Sequence, residues 1–340
     1  MKIARNVFDA IGNTPLVRLN KVTTGVKPQV LAKLEYYNPT GSLKDRILFR
    51  MVEAAEKRGD LKPGMTIIEG TTGNTGIATA MVAAVKGYRC VIVMPEGMSI
   101  ERRKIDLAYG AELVLTPGAE SDVDLVLDKV KEIMAAAPGT YWKVGQFENL
   151  DNAQAHYTTT GPEIWDQTDG AVDAIVLSQG TGGTITGVGR FLREKKPAVK
   201  VYAVEPAECP LLSRRTWGTH KIEGIGDGFI PPVLDVSLLN GVVLTTSDES
   251  IAMAKRLARE EGIFCGISSG CNVVAALKVA RRHPELGMIV TMINDNGLRY
   301  FSTELCGETV ELESPEREHP MDAKTRELLD RYQKTWEIIE

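Results

Sequence analysis

The chain has 340 residues, enough for two ordinary domains sharing a large interface, and its 43% hydrophobic and 25% charged content supports a packed core and excludes global disorder. A formal net charge of −5 leaves no electrostatic footprint for nucleic acid or an anionic membrane surface. No stretch of about 20 apolar residues and no signal-peptide core appears, and the scattered cysteines and histidines show no CxxC, HxxxH or HExxH spacing, so a cytoplasmic protein without a metal site is expected.

In chain order, the first marked feature is NPTGSLKDR, Asn38 to Arg46, a tight turn with helix formers directly behind it. A lysine at a helix start works against the helix dipole. Lys44 is therefore either solvated and idle, or its amine is wanted at the mouth of a site. From residue 65 the pattern alternates: MTIIEGT reads as a strand, NTGIATAMVAAVKG as a helix closed by Gly87, and YRCVIVMP as a strand. SIERRKIDLAYG follows as a helix closed by Gly110, AELVLTP as a strand, and SDVDLVLDKVKEIMAAA as a helix with Ser121 as its N-cap.

The stretch LDNAQAHYTTTGPEIW, residues 150–165, is polar and reads as a turn-rich domain crossover. The alternation then resumes with VDAIVLSQ, GGTITGVGRFLREKK, VKVYAVEP, SDESIAMAKRLAREEG and GMIVTMIN. Apolar strands alternating with helices predict an α/β protein with mostly parallel sheets covered by helices. The last segment, 313–340, opens as a charged, proline-containing linker. It then places Leu328, Tyr332, Trp336 and Ile339 on one face of a helix, packed on the body or used as a dimer contact.

Two glycine-rich loops each stand between a strand and a helix: EGTTGNTG, Glu69 to Gly76, and SQGTGGTITG, Ser178 to Gly187. Free backbone N–H groups at a helix N-terminus make an anion cradle, and the Thr181 and Thr184 hydroxyls add donors. The dinucleotide fingerprint GxGxxG fails at Ile185, and the dipeptide Gly-Lys of a P-loop never occurs. The hydroxyls and amide of the first loop suit a carboxylate. GISSG, Gly266 to Gly270, matches the nucleophile elbow of α/β-hydrolases, with Asp295 and His319 following in the required order. Its lead-in EEGIFC is a poor central strand and His319 lies in the charged linker, so a serine hydrolase is disfavoured.

Seven motifs in order, IGNTPLVRL, NPTGSLKDR, TTGNTGIA, PEGMSIERRK, GTGGTITGVG, IEGIGDGFIP and GISSG, resemble the pyridoxal-phosphate enzymes of the cysteine synthase and cystathionine β-synthase group over about residues 5–307. The resemblance implies fold type II: two domains, each a mostly parallel twisted sheet, with pyridoxal 5'-phosphate in the cleft between them. It places residues 1–147 in an N-terminal domain, with about 13–34 crossing to the other, 148–312 in a larger domain, and 313–340 in the tail.

By the same resemblance Lys44 is the lysine that binds the cofactor and later acts as base. Gly180, Thr181, Gly182, Gly183 and Thr184 cradle its phosphate, Asn74 meets the ring 3-hydroxyl, and Ser268 meets the pyridine nitrogen. Thr71, Thr72, Asn74, Thr75 and Gln146 grip the substrate carboxylate, and Glu223 is a further substrate-binding residue at the pocket. A serine at the ring nitrogen weakens the electron sink and favours β-elimination chemistry. The implied reaction is β-replacement through an aminoacrylate, making L-cysteine from O-acetylserine and sulfide, with cystathionine formation from serine or O-acetylserine plus homocysteine as the alternative. A homodimer and a serine acetyltransferase partner are also implied. Gly70, Asp227 and Glu223 depart from the sulfhydrylase pattern. An acid near the pocket could protonate a hydroxyl leaving group or bind homocysteine's amine, and would repel a phosphorylated substrate.

Overall fold

Short β-branched runs that are buried on both sides cannot stand alone, and in this protein they assemble into two sheets. The computed structural model describes residues 3–118, 123–307 and 320–340. Its strands are β1 (Leu16–Arg18), β2 (Gln29–Leu34), β3 (Thr66–Gly70), β4 (Arg89–Pro95), β5 (Glu112–Thr116), β6 (Tyr141–Lys143), β7 (Ala174–Ser178), β8 (Lys200–Pro206), β9 (Gly241–Thr245), β10 (Met288–Ile293) and β11 (Glu337–Ile339). A four-stranded sheet runs β5-β4-β3-β6, all parallel, and a seven-stranded sheet runs β1-β2-β10-β7-β8-β9-β11, parallel except for β1.

The helices are α1 (Lys44–Arg58), α2 (Asn74–Lys86), α3 (Ile100–Ala108), α4 (Val123–Ala136), α5 (Asp151–Thr158), α6 (Thr160–Gln167), α7 (Gly183–Lys195), α8 (Leu211–Arg214), α9 (Ser247–Arg256), α10 (Ile267–Arg282) and α11 (Ala323–Tyr332). Because side chains alternate across a strand, each sheet feeds two cores. Ala174 and Val176 of β7 pack in one core, Ile175 and Leu177 in the other. In the small sheet Ile67 and Ile68 divide in the same way. Helices on both faces leave the carboxyl ends of the strands as the open edge where a ligand site forms.

Two stretches differ from expectation. Residues 150–165 are not a turn-rich crossover but lie largely in α5 and α6. Their threonines fit a helix, with the Thr158 and Thr159 hydroxyls donating to carbonyls one turn back, and the face carrying Asn152, Ala153, Ala155 and His156 is buried. The terminal helix also stops early, at Tyr332. Trp336 and Ile339 are buried off the helix, Trp336 just after a short turn at Gln333–Thr335 and Ile339 within Glu337–Ile339, which adds to the free edge of β9 as β11. The unpaired backbone of that edge outweighs a fourth helical turn. Ser121 and the linker residues up to His319 lie outside the described residues.

Candidate active site

Lys44 is the first residue of α1, and the turn before it is fastened from both sides. The Asn38 amide donates to the Glu35 carbonyl at 2.8 Å and accepts from the Gly12 N–H at 2.8 Å. Asp45 accepts the Thr40 N–H at 2.7 Å and the Thr40 hydroxyl. The Arg299 guanidinium holds the Gly41 carbonyl at 2.8 Å, and the Leu43 N–H bonds the Asn294 carbonyl at 2.9 Å, tying the turn to the end of β10. Behind it the Arg46 guanidinium pairs with Glu35 at 2.6 Å and Glu163 at 2.6 Å, and Lys33 also reaches Glu163 at 2.7 Å.

So mounted, the Lys44 amine makes no hydrogen bond or ion pair among the described residues. Burial pushes it down to about 8, against the opposing pull of Asp227, Glu69 and Asp295. This resolves the lysine at a helix start: the position lowers its affinity for a proton.

The loop after β3 is shaped by its neighbours. Thr71 Oγ1 accepts the Gly73 N–H at 3.1 Å, and the Thr75 hydroxyl donates to Gln146 Oε1 at 2.6 Å. Gln146 is itself set by Glu69, which accepts the Gly145 N–H at 2.8 Å and the Gln146 N–H at 3.3 Å. Asn74 Nδ2 donates to Asp295 at 2.7 Å, while its buried Oδ1 has no partner. The loop after β7 leads through Gly182, whose φ of +79° suits glycine, into α7. Thr181 Oγ1 accepts from Asn152 at 3.1 Å, and Thr184 Oγ1 lies 3.1 Å from His156 Nε2.

Ser268, in the first turn of α10, accepts from the Asn294 amide at 3.1 Å, while Ser269 turns inward to the Asn294 N–H at 2.9 Å. No histidine among the described residues bonds Ser268, and Asp295 is occupied by Asn74 and, at 2.8 Å, by the Tyr300 hydroxyl. A Ser–His–Asp arrangement at GISSG is not formed by these residues.

Lys44, Thr71, Thr72, Asn74, Thr75, Gln146, Gly180, Thr181, Gly182, Thr184, Glu223 and Ser268 all line one cleft of about 820 Å³, open mouth included. Gly183 does not line it but starts α7 directly behind. The cleft also brings in Asp227, Arg102 and Asn294. Arg102 forms an ion pair with Glu223 and lies over the Tyr300 ring at 4.7 Å, joining α3 of the small sheet to the 223–227 loop. Burial raises the Glu223 carboxyl, against the pull of Arg102. Asn294 was open to prediction, since it ends the run GMIVTMIN at the carboxyl edge of a parallel strand; Arg102, one of two adjacent arginines in a helix, carried no such signal. Among the described residues no three His, Cys, Asp or Glu side chains cluster as a metal site would require.

The sequence profile described as "Pyridoxal-phosphate dependent enzyme" matches residues 7–295. The chain belongs to this family. It is 48% identical over 299 residues to cysteine synthase 3 of Caenorhabditis elegans, covering 87% of this chain and 88% of the relative. It is 45% identical over 301 residues to cysteine synthase of Staphylococcus aureus, covering 88% and 96%. Among solved structures, cysteine synthase from Entamoeba histolytica superposes with a TM-score of 0.85 at 39% identity, over 98% of this chain and 96% of that one. A hydrogen sulfide-producing enzyme from Fusobacterium nucleatum gives 0.84 at 41% identity, over 88% and 100%. The fold is that of the type II pyridoxal-phosphate enzymes, and among the described residues no helix is long and apolar enough to cross a membrane.

Proposed function

We propose that this enzyme makes L-cysteine from O-acetyl-L-serine and sulfide, with Lys44 as the residue that carries the cofactor and moves the substrate's α-proton. The observation that carries the reading is one cleft containing both the unbonded Lys44 amine and the unpartnered, buried Asn74 Oδ1. These are groups that a buried aldehyde and ring hydroxyl would satisfy. A Cβ at Gly180 would stand 2.5 Å from the Gly224 carbonyl, so the two loops close on each other only around a bare backbone.

When bound, pyridoxal phosphate supplies an electron-withdrawing ring that takes up the negative charge developing at the substrate α-carbon. Gly180, Thr181, Gly182 and Thr184 would hold the phosphate at the N-terminus of α7, with Gly183 supporting Thr181 as the helix's first residue. Ser268 would meet the pyridine nitrogen, and Thr71, Thr72, Thr75 and Gln146 would hold the substrate carboxylate. The depressed pKa of Lys44 raises its free-amine fraction near neutrality, as a base requires. Lys44 takes the α-proton as acetate leaves with the electrons of the Cβ–O bond; hydrosulfide then forms the Cβ–S bond and a proton returns to the α-carbon.

Asp227 favours a second reading, cystathionine formation from serine or O-acetylserine plus homocysteine. Burial pushes its carboxyl up to about 6 against the pull of Lys44, so it can protonate a hydroxyl leaving group. Purified holoenzyme given O-acetylserine and sulfide is expected to form cysteine. No cysteine, with turnover of serine and homocysteine, would replace the first reading by the second. The same reading makes the enzyme a cytoplasmic homodimer able to bind serine acetyltransferase, which sedimentation, cell fractionation and pull-down would test.

A further inference from the structure

We infer that Asn152 and His156, four residues apart on α5, are positioning residues that fix the Thr181 and Thr184 hydroxyls as hydrogen-bond donors toward the cleft. This rests on the reading that the 180–184 loop holds the cofactor's phosphate. The pair occupies one helix face and is buried against the start of α7. The approach of the two helices is close: a Cβ at Gly187 would lie 2.2 Å from the Ala153 carbonyl oxygen and 2.7 Å from His156 Cβ.

At Asn152 the amide orientation is fixed by the Gln146 carbonyl, which can only accept, at 2.8 Å from Nδ2. The second hydrogen of that NH₂ group goes to Thr181 Oγ1 at 3.1 Å, which also accepts the Gly183 N–H at 3.4 Å. With two donors on its oxygen, Thr181 has its own proton left for the cleft it lines.

At His156 the tautomer follows from Thr160. That hydroxyl is fully buried, and His156 Nδ1, at 2.9 Å, is the one partner it meets among the described residues. A buried hydroxyl donates where it can, so Nδ1 accepts. Burial, helped by the charges of Arg46 and Lys44, pushes the ring down to about 3 and keeps it neutral. Its single proton therefore sits on Nε2 and is donated to Thr184 Oγ1 at 3.1 Å. Thr184 is then left with an outward-facing proton. Both chains, Asn152 to Thr181 and Thr160 through His156 to Thr184, run in the same sense and end on the anion. The opposite tautomer would turn a lone pair of Thr184 toward a phosphate dianion.

Nitrogen-15 NMR of histidine-labelled holoenzyme reads the tautomer directly. The His156 resonances, assigned by their loss in His156→Gln, are expected to show the proton on Nε2; a proton on Nδ1 overturns the inference. Titration of apoprotein with pyridoxal phosphate, followed by visible absorbance, is expected to show His156→Leu binding about tenfold to a hundredfold more weakly, the scale of one lost hydrogen bond to a charged group. The phosphorus-31 resonance of the bound cofactor should move with it. His156→Gln, which can still donate an amide N–H to Thr184, should recover most of the affinity. Unchanged affinity in His156→Leu overturns the inference. Should that variant fail to fold, Thr160→Val serves in its place, expected to give a mixture of His156 tautomers and refuting the relay if the tautomer is unaltered. Wild-type apoprotein that takes up no pyridoxal phosphate refutes the loop's assignment itself, a result distinct from tight binding with the wrong tautomer.

Discussion

The two glycine-rich loops face each other across one cleft, yet their hydroxyls are committed in opposite directions. In the loop after β7, Thr181 and Thr184 receive hydrogen bonds from Asn152 and His156 behind them. In the loop after β3, the Thr75 proton is spent on Gln146 Oε1, and Asn74 keeps a buried oxygen without a partner. The first is a mount whose donors already point outward. The second must exchange an internal hydrogen bond for one to a ligand. Under the proposed roles, with a cofactor phosphate that stays on one loop and a substrate carboxylate that comes and goes on the other, this is the difference expected.

The largest expected effect removes what both loops serve. Lys44→Ala is expected to lower cysteine formation by about a thousandfold or more, within the range for loss of a positioned base or nucleophile, and to abolish the covalent cofactor attachment that intact mass reveals after borohydride reduction. In wild-type apoprotein, cofactor uptake should quicken as pH rises and level off above about 8, where the amine is free. A flat profile would show that Lys44 is not the attacking amine. Next comes the mount of that lysine. Arg46→Ala leaves the buried Glu35 carboxylate without its guanidinium and is expected to cost about 3–5 kcal/mol in denaturant unfolding; a loss under 1 kcal/mol would sever Arg46 from the support of the turn.

The sequence carried the loops themselves, because a strand, a glycine run and a helix start are local signals. It also carried the alternation that makes two parallel sheets. It did not carry the support behind the loops. The ion pairs of Arg46 with Glu35 and Glu163 join residues 11 and 117 positions apart, and only folding makes them neighbours. Asn152 and His156 were hidden for a different reason. Their segment is rich in threonine and amide side chains, which read as turn formers until their hydrogen bonds are seen to close within and between helices. The tail failed on length: a spacing of four continues on paper past Tyr332, but the free edge of β9 competes for the same backbone.

A smaller effect separates the loops. Gln146→Leu removes the acceptor of Thr75 and one polar group facing the substrate. About a tenfold rise in KM for O-acetylserine is expected, with pyridoxal phosphate affinity of the apoprotein within about twofold of wild type. Equal losses in both quantities would erase the distinction between a mount and an adaptable grip.

The finest test is Glu69, buried beneath Gln146. Burial pushes its carboxyl up from 4.5 to about 7, although the Gly145 and Gln146 N–H groups and Lys143 pull the other way. The folded state therefore holds this proton more tightly than the unfolded chain, and stability from this group is full below pH 4.5 and lost as pH rises through about 7. Glu69→Gln has no proton to lose and keeps an acceptor for the Gly145 N–H. Its Tm relative to wild type should accordingly climb between pH 5 and 8, while parallel profiles would show that Glu69 ionises freely. Because Glu69 bonds the Gln146 N–H directly and reaches the loop after β7 only through the Gln146 carbonyl that Asn152 meets, the variant should flatten the pH dependence of KM for O-acetylserine more than that of cofactor affinity.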